Sequence, residues 1–172
     1  IDLFRVESAE MNQYDLPVWF QGHLLSTSFE YQAETGVLEP LGADHGYQHL
    51  WKEAVGKAEV EQAQLTWFGQ ERFYTMTVAT ESEDELILAR IGANDPSFNL
   101  RRDPAMILRR DARDALFVSV IEAHGEYSPV TEIPERPFSS ISAVEILYDE
   151  QDYTIVRFKN KPPLILTIEH DI

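Results

Sequence analysis

Five histidines are the first residues in this sequence that could bind a metal or move a proton: His23, His45, His49, His124 and His170. His45 and His49 are four apart, a spacing that would put both imidazoles on one face of a helix, with Asp44 beside them. Such a set suits zinc. Two features weigh against it. Gly46 lies between the pair, and no glutamate follows His45 as an HExxH helix requires. His23 and His124 each adjoin a glycine at the end of an apolar stretch, where a hydrogen-bonding role at a strand end is the simpler reading.

Other chemistries are excluded or weakened by residue type. There is no cysteine, so disulfides, thiolate zinc sites and cysteine nucleophiles are excluded. No serine stands in a GxSxG elbow, and neither a P-loop nor a GxGxxG occurs. Carboxylates are abundant, but paired acids for glycoside hydrolysis need spatial pairing and a raised pKa, which spacing does not supply. The run Glu81-Ser82-Glu83-Asp84-Glu85 reads as a solvated turn, since it lacks the spacing and glycine of an EF-hand loop. Between Arg101 and Asp114, arginines 101, 102, 109, 110 and 113 face aspartates 103, 111 and 114. Their guanidinium forks suit a uronate, yet pairing with the chain's own acidic surface is the favoured reading. Aromatic faces for sugar rings come from Trp19, Tyr47 and Trp51. With His23 these make the set of sugar-contact candidates, against the alternative that strand aromatics are core.

The elements that must position these residues are strands. Period-2 alternation or continuous β-branched and aromatic runs mark 1–6, 16–25 (one strand with a bend at Pro17 or Gly22), 86–91, 105–109, 115–123 and 164–168. Residues 64–68 and 73–80 read as a hairpin across Gly69-Gln70-Glu71-Arg72, and 140–148 with 153–158 as another. One helix is predicted, 53–62, weakened by Gly56. Nine or ten short strands with turn signals at intervals of about 8–12 residues predict an all-β, antiparallel two-sheet β-sandwich with at most one short helix.

The chain has 172 residues and 19.8 kDa, the size of one domain. Fourteen basic against 30 acidic residues give a net charge of −16, which argues against nucleic acid or an anionic membrane as partner, since both would be repelled. No apolar run approaches the ~18 residues of a membrane-spanning helix. The sequence opens on Ile1 inside an apolar stretch, which reads as a fragment cut near a domain boundary. Periplasmic, secreted and cytoplasmic settings in a bacterium fit equally, because a lack of cysteine names no compartment.

Four stretches go beyond pattern: Tyr14-Asp-Leu-Pro-Val-Trp-Phe-Gln-Gly-His-Leu-Leu-Ser-Thr27, Gly42-Ala-Asp-His-Gly-Tyr-Gln-His-Leu-Trp51, Arg90-Ile-Gly-Ala-Asn-Asp-Pro-Ser-Phe-Asn-Leu-Arg101 and Val120-Ile-Glu-Ala-His-Gly125. Together they resemble the C-terminal part of the oligoalginate lyases of polysaccharide lyase family 17, in the heparinase II/III-like group. The likeness runs over nearly the whole chain. It implies that residues 1–172 are a single C-terminal β-sandwich of a longer lyase, whose partners are a catalytic helical toroid and a first β-segment of the same enzyme. The family cleaves uronate chains by β-elimination. The C5 proton becomes removable when the C6 carboxylate is neutralised, and a tyrosine or histidine moves it. In the family the neutralising Asn-His pair and the tyrosine belong to the toroid, and the zinc ligands to the first β-segment. None of those motifs is matched here, so the resemblance carries over no catalytic, cofactor or metal residue. Zinc belongs to the full-length family enzyme.

Three functional expectations follow. The favoured one is a supporting domain, inactive by itself. The alternative is a module binding acidic oligosaccharides such as alginate through Trp19, His23, Tyr47 and Trp51. A third, an autonomous enzyme, needs His45, His49 and an acid in one pocket.

Overall fold

Alternation of apolar and polar residues becomes strands throughout the computed structural model, which describes residues 1–58, 61–92, 102–150 and 152–170. Fourteen strands form among the described residues, and every pairing is antiparallel. The first sheet is built from β1 (Asp2–Val6), β3 (His23–Thr27), β6 (Gln62–Gly69), β7 (Arg72–Ala79) and β10 (Ala115–Ser128), in the order β1-β10-β7-β6-β3, with β11 (Ile133–Glu135) on the far end of β10. The second sheet has β2 (Asn12–Trp19), β4 (Tyr31–Ala33), β5 (Leu50–Lys57), β8 (Glu85–Ile91) and β9 (Pro104–Ala112), in the order β2-β9-β8-β5-β4. A small third sheet, β12 (Ala143–Asp149), β13 (Tyr153–Lys159) and β14 (Leu164–Glu169), completes the structure.

The all-β antiparallel sandwich is as predicted, with one layer more. The first sheet is the middle layer because its strands alternate between two cores. Leu65, Met76, Val78 and Phe117 point to one side and meet Leu86, Leu88, Met106 and Leu108 of the second sheet. Val118, Val120 and Ala79, one residue out of phase, point to the other side and meet Val144, Val156 and Phe158 of the third sheet. A strand buried on both faces reads as a continuous apolar run, which is the pattern of Leu116–Ile121.

Two sequence expectations are corrected. The helix at 53–62 is not formed; Leu50–Lys57 is a strand. Ala54, Gly56 and Ala58 are buried in alternation, a period of two. Gly56 is required by close approach: a Cβ there would lie 2.5 Å from the Glu30 carbonyl oxygen and 2.8 Å from the Phe29 ring. Residues 16–25 are not one bent strand either. The chain leaves the second sheet after Trp19 and enters the first at His23, with Phe20 buried in the core between. The helical content of the described residues is a single 3-10 turn, Tyr47–His49.

Candidate functional site

The outer face of the second sheet gathers more functional side chains than any other place in the fold. Cross-strand register sets Asp15 opposite Arg109, Arg109 opposite Glu85, and Glu85 opposite Lys57. Opposite charges directly across a ladder attract, so this row ties four strands together. Arg109 clamps Asp15 with two bonds, Nε to Oδ1 and Nη2 to Oδ2, both 2.8 Å. The segment before β5 lies over this face, where Leu41 and Leu50 pack against Ile87, Ala89 and Ile107. It brings Tyr47, whose hydroxyl donates to Asp15 Oδ2 at 2.6 Å.

These groups hold one another. Burial and the bond to the Asp15 carboxylate raise the Tyr47 phenol above its usual value, only partly offset by Arg109. The bond to Asp15 also raises the Arg109 guanidinium against the cost of its burial. Tyr47 therefore stays protonated near neutral pH and serves as a donor, and Arg109 stays charged and occupied. The arrangement positions a loop on a sheet.

The histidine pair does not share a helix. His45 adopts a left-handed φ of 59°, Gly46 follows at 95°, and the 3-10 turn begins after them, so no helix face carries both rings. Among the described residues no three His, Cys, Asp or Glu side chains gather as a metal-holding group. His124 lies inside a network on the face of the first sheet that carries Val118 and Val120, beyond the part covered by the third sheet. Its Nδ1–H donates to the Arg136 carbonyl at 3.0 Å, which leaves Nε2 to accept from the Thr75 hydroxyl at 2.8 Å. Next to it Glu122 accepts from the Ser139 hydroxyl (2.5 Å), the Ser140 hydroxyl (2.6 Å) and the Ser140 amide (2.8 Å). The strap from Arg136 to Ser142 is thereby tied across the sheet.

The four sugar-contact candidates are spread over the fold. Trp19, 43% exposed, and Tyr47 belong to the outer side of the second sheet, Trp51 lies in β5 across from Arg90, and exposed His23 opens β3 in the first sheet. Trp19 borders a cavity of about 390 Å³ together with Phe20, Gln21, Ile91 and Asp103. A groove of about 770 Å³ runs beside β12 and carries Glu61, Glu81 and Glu145 with Arg157, which pairs with Glu145.

Two arginines of the basic segment pair internally, the reading favoured from the sequence: Arg109 with Asp15, and Arg110 with Asp84 and Glu81. Arg101 lies outside the described residues, as does most of the third motif. The acidic run is a turn, but Asp84 within it is buried, 1% exposed. Sequence reasoning missed this residue and the Glu122 network. Asp84 gave no local signal, because Arg110, its partner, is 26 positions away.

The fold and these clusters define an all-β sandwich domain of interlocked charges. No protein-family model matches the sequence. Among characterised proteins, an alginate lyase of Stenotrophomonas maltophilia is 42% identical over 133 residues, 77% of this chain and 18% of that enzyme. An exo-oligoalginate lyase of Saccharophagus degradans is 29% identical over 176 residues, 99% of this chain and 24% of that enzyme. The chain is a relative of the alginate lyases, as its motifs indicated, and corresponds to a domain-sized segment spanning about a fifth to a quarter of their length.

Proposed function

We propose that this chain is the C-terminal β-sandwich of a longer alginate lyase that cleaves uronate chains by β-elimination, and that it supports a catalytic toroid and a first β-segment of the same polypeptide. One observation carries the reading. The similarity takes up 77–99% of this chain while leaving more than three quarters of each relative without a counterpart. The clusters described above agree with it: Tyr47, Asp15 and Arg109 saturate one another, as do Glu122 and the serines of the strap. A scaffold needs such internally satisfied polar groups, whereas a catalyst needs groups aimed at a substrate. Zinc, in this reading, belongs to the full-length enzyme outside this chain.

The test compares the full-length lyase with residues 1–172 expressed alone and checked for folding by circular dichroism. Oligoalginate should yield the ultraviolet-absorbing unsaturated product with the former and none with the latter. Turnover by the isolated chain would overturn the proposal. Saturable quenching of tryptophan emission by oligouronates, persisting at moderate salt, would replace the supporting role by carbohydrate binding.

A further inference from the structure

A sheet edge carries a row of unpaired N–H and C=O groups, and folded proteins blunt such edges. Each other edge here shows a device for doing so. In the second sheet, β2 carries Pro17 and β4 is three residues long. In the first, β3 has a register shift between Leu24 and Ser26, β11 is three residues with Pro134, and β1 is five residues bearing Asp2 and Arg5. In the third sheet, β12 is closed by one side chain. Gln62 accepts from the Val144 amide at 3.3 Å and donates to the Ser142 carbonyl at 2.9 Å.

The opposite edge of that sheet has no proline, no bulge and, among the described residues, no side chain closing it, and its single charge is Glu169. β14 reads Leu-Ile-Leu-Thr-Ile-Glu, with no proline, no basic residue and unbroken register against β13. Leu164 and Ile165 are 46% and 58% exposed. The direction of its backbone groups follows from the ladder. The His170 amide donates to the Asp152 carbonyl at 2.9 Å, one step beyond the Tyr153–Glu169 pair. Antiparallel pairs alternate between bonded and non-bonded. The pairs of 168, 166 and 164 with β13 are therefore bonded, and the N–H and C=O groups of Ile165, Thr167 and Glu169 point away from the sheet.

We infer that the β14 edge, through the backbone of Ile165, Thr167 and Glu169, receives a β-strand from the part of the lyase polypeptide outside these 172 residues. This inference rests on the reading that the chain belongs to a longer lyase. Two observations select that occupant. The matched segments are only 18% and 24% of the relatives' length, so a strand from the same polypeptide is presented at high effective concentration. The edge has no proline and no bulge to stop addition by backbone pairing, and its one charge, Glu169, lies at its end. The incoming strand places an apolar side chain beside Ile165, continuous with Tyr148 and Ile155 on the same face of the sheet.

Single-residue amide hydrogen exchange on the intact, active lyase tests this. The amides of Ile165, Thr167 and Glu169 should exchange at least about a hundredfold more slowly than in a free peptide. Thr167→Pro removes the central donor while remaining compatible with an unpaired edge. It should abolish protection both along this edge and in one segment outside the 172 residues. Ile165→Lys, at an exposed side chain, should weaken the same two sites. Exchange at free-peptide rates in the wild-type enzyme overturns the inference. So does protection that vanishes on dilution as a dimer becomes a monomer by light scattering, which assigns the edge to a second copy. Because the enzyme used is active, failure here is distinct from failure of the proposed lyase function.

Discussion

Asp84 shows how far one residue can depart from its surroundings in the sequence. Glu81, Ser82 and Glu83 are exposed in keeping with a solvated turn, yet Asp84 beside them is buried. Arg110 donates to it twice, at 2.8 and 2.6 Å, and the Glu81 amide donates at 2.8 Å. The guanidinium also lies over the Phe117 ring, 5.0 Å from its centre. Removing one member of a buried pair leaves an uncompensated charge. Asp84→Asn should therefore cost about 3–5 kcal/mol in denaturant unfolding. A loss below about 1 kcal/mol would mean that exposed Glu81, 3.0 Å from Arg110, replaces it. Glu122 gives a pH-dependent counterpart. Burial opposes its ionisation, but bonds from the Ser139 and Ser140 hydroxyls and from the Ser140 and Ile141 amides outweigh this and lower its pKa. A depressed carboxylate stabilises the fold above its unfolded pKa of about 4.3, and that contribution is lost as pH falls through the folded value. Protection of the strap amides 136–142, taken relative to the intrinsic exchange rate at each pH, should fall on acidification below about pH 4. In Glu122→Gln that protection should be lower at neutral pH and should not fall further with acid.

At the scale of elements, β10 organises the molecule. Its 14 residues pair with β1 and β7 and then run past the sandwich to pair with β11. Gly125 makes that extension possible. The register shifts between His124 and Glu126, and Gly125 takes a φ of +54°. A Cβ there would lie 2.1 and 2.2 Å from the Glu135 and Arg136 carbonyl oxygens, backbone atoms that cannot move aside cheaply. Gly125→Ala should thus separate β11 and the start of the strap from β10 and release the His124–Arg136 bond. Nuclear magnetic resonance would show this as loss of β11 amide protection with the core of Leu65, Met76 and Phe117 retained. The hairpin between β6 and β7 makes the complementary point. Gln70 and Glu71 both have positive φ, 53° and 63°, without a glycine at either position. Register fixed by eight facing pairs holds a turn that local preference alone would not choose.

For the molecule as a whole, charge is the dominant global property. A surplus of 16 negative charges repels itself in the compact state, and added salt screens that repulsion at separations beyond about 8–10 Å. Raising sodium chloride from about 0.05 to 0.3 M should increase Tm by a few degrees, followed by circular dichroism. A falling Tm would mean that the ion pairs of Arg109, Arg110 and Arg157 outweigh the general repulsion. The same global view separates what was legible in the sequence from what was not. Strand content, the two hairpins and the apolar run of β10 are written locally, because side-chain period and turn residues act over a few positions. The likeness to alginate lyases is likewise carried by contiguous motifs. The layer order was not legible, since a strand's two apolar faces do not say which sheet covers each. Nor were the joining of Asp15 to Arg109 across 94 positions, the burial of Asp84, or the break that sends β2 and β3 into different sheets. Those depend on which distant segments meet, and burying two cores on opposite faces of one sheet is a decision made only when the whole chain folds.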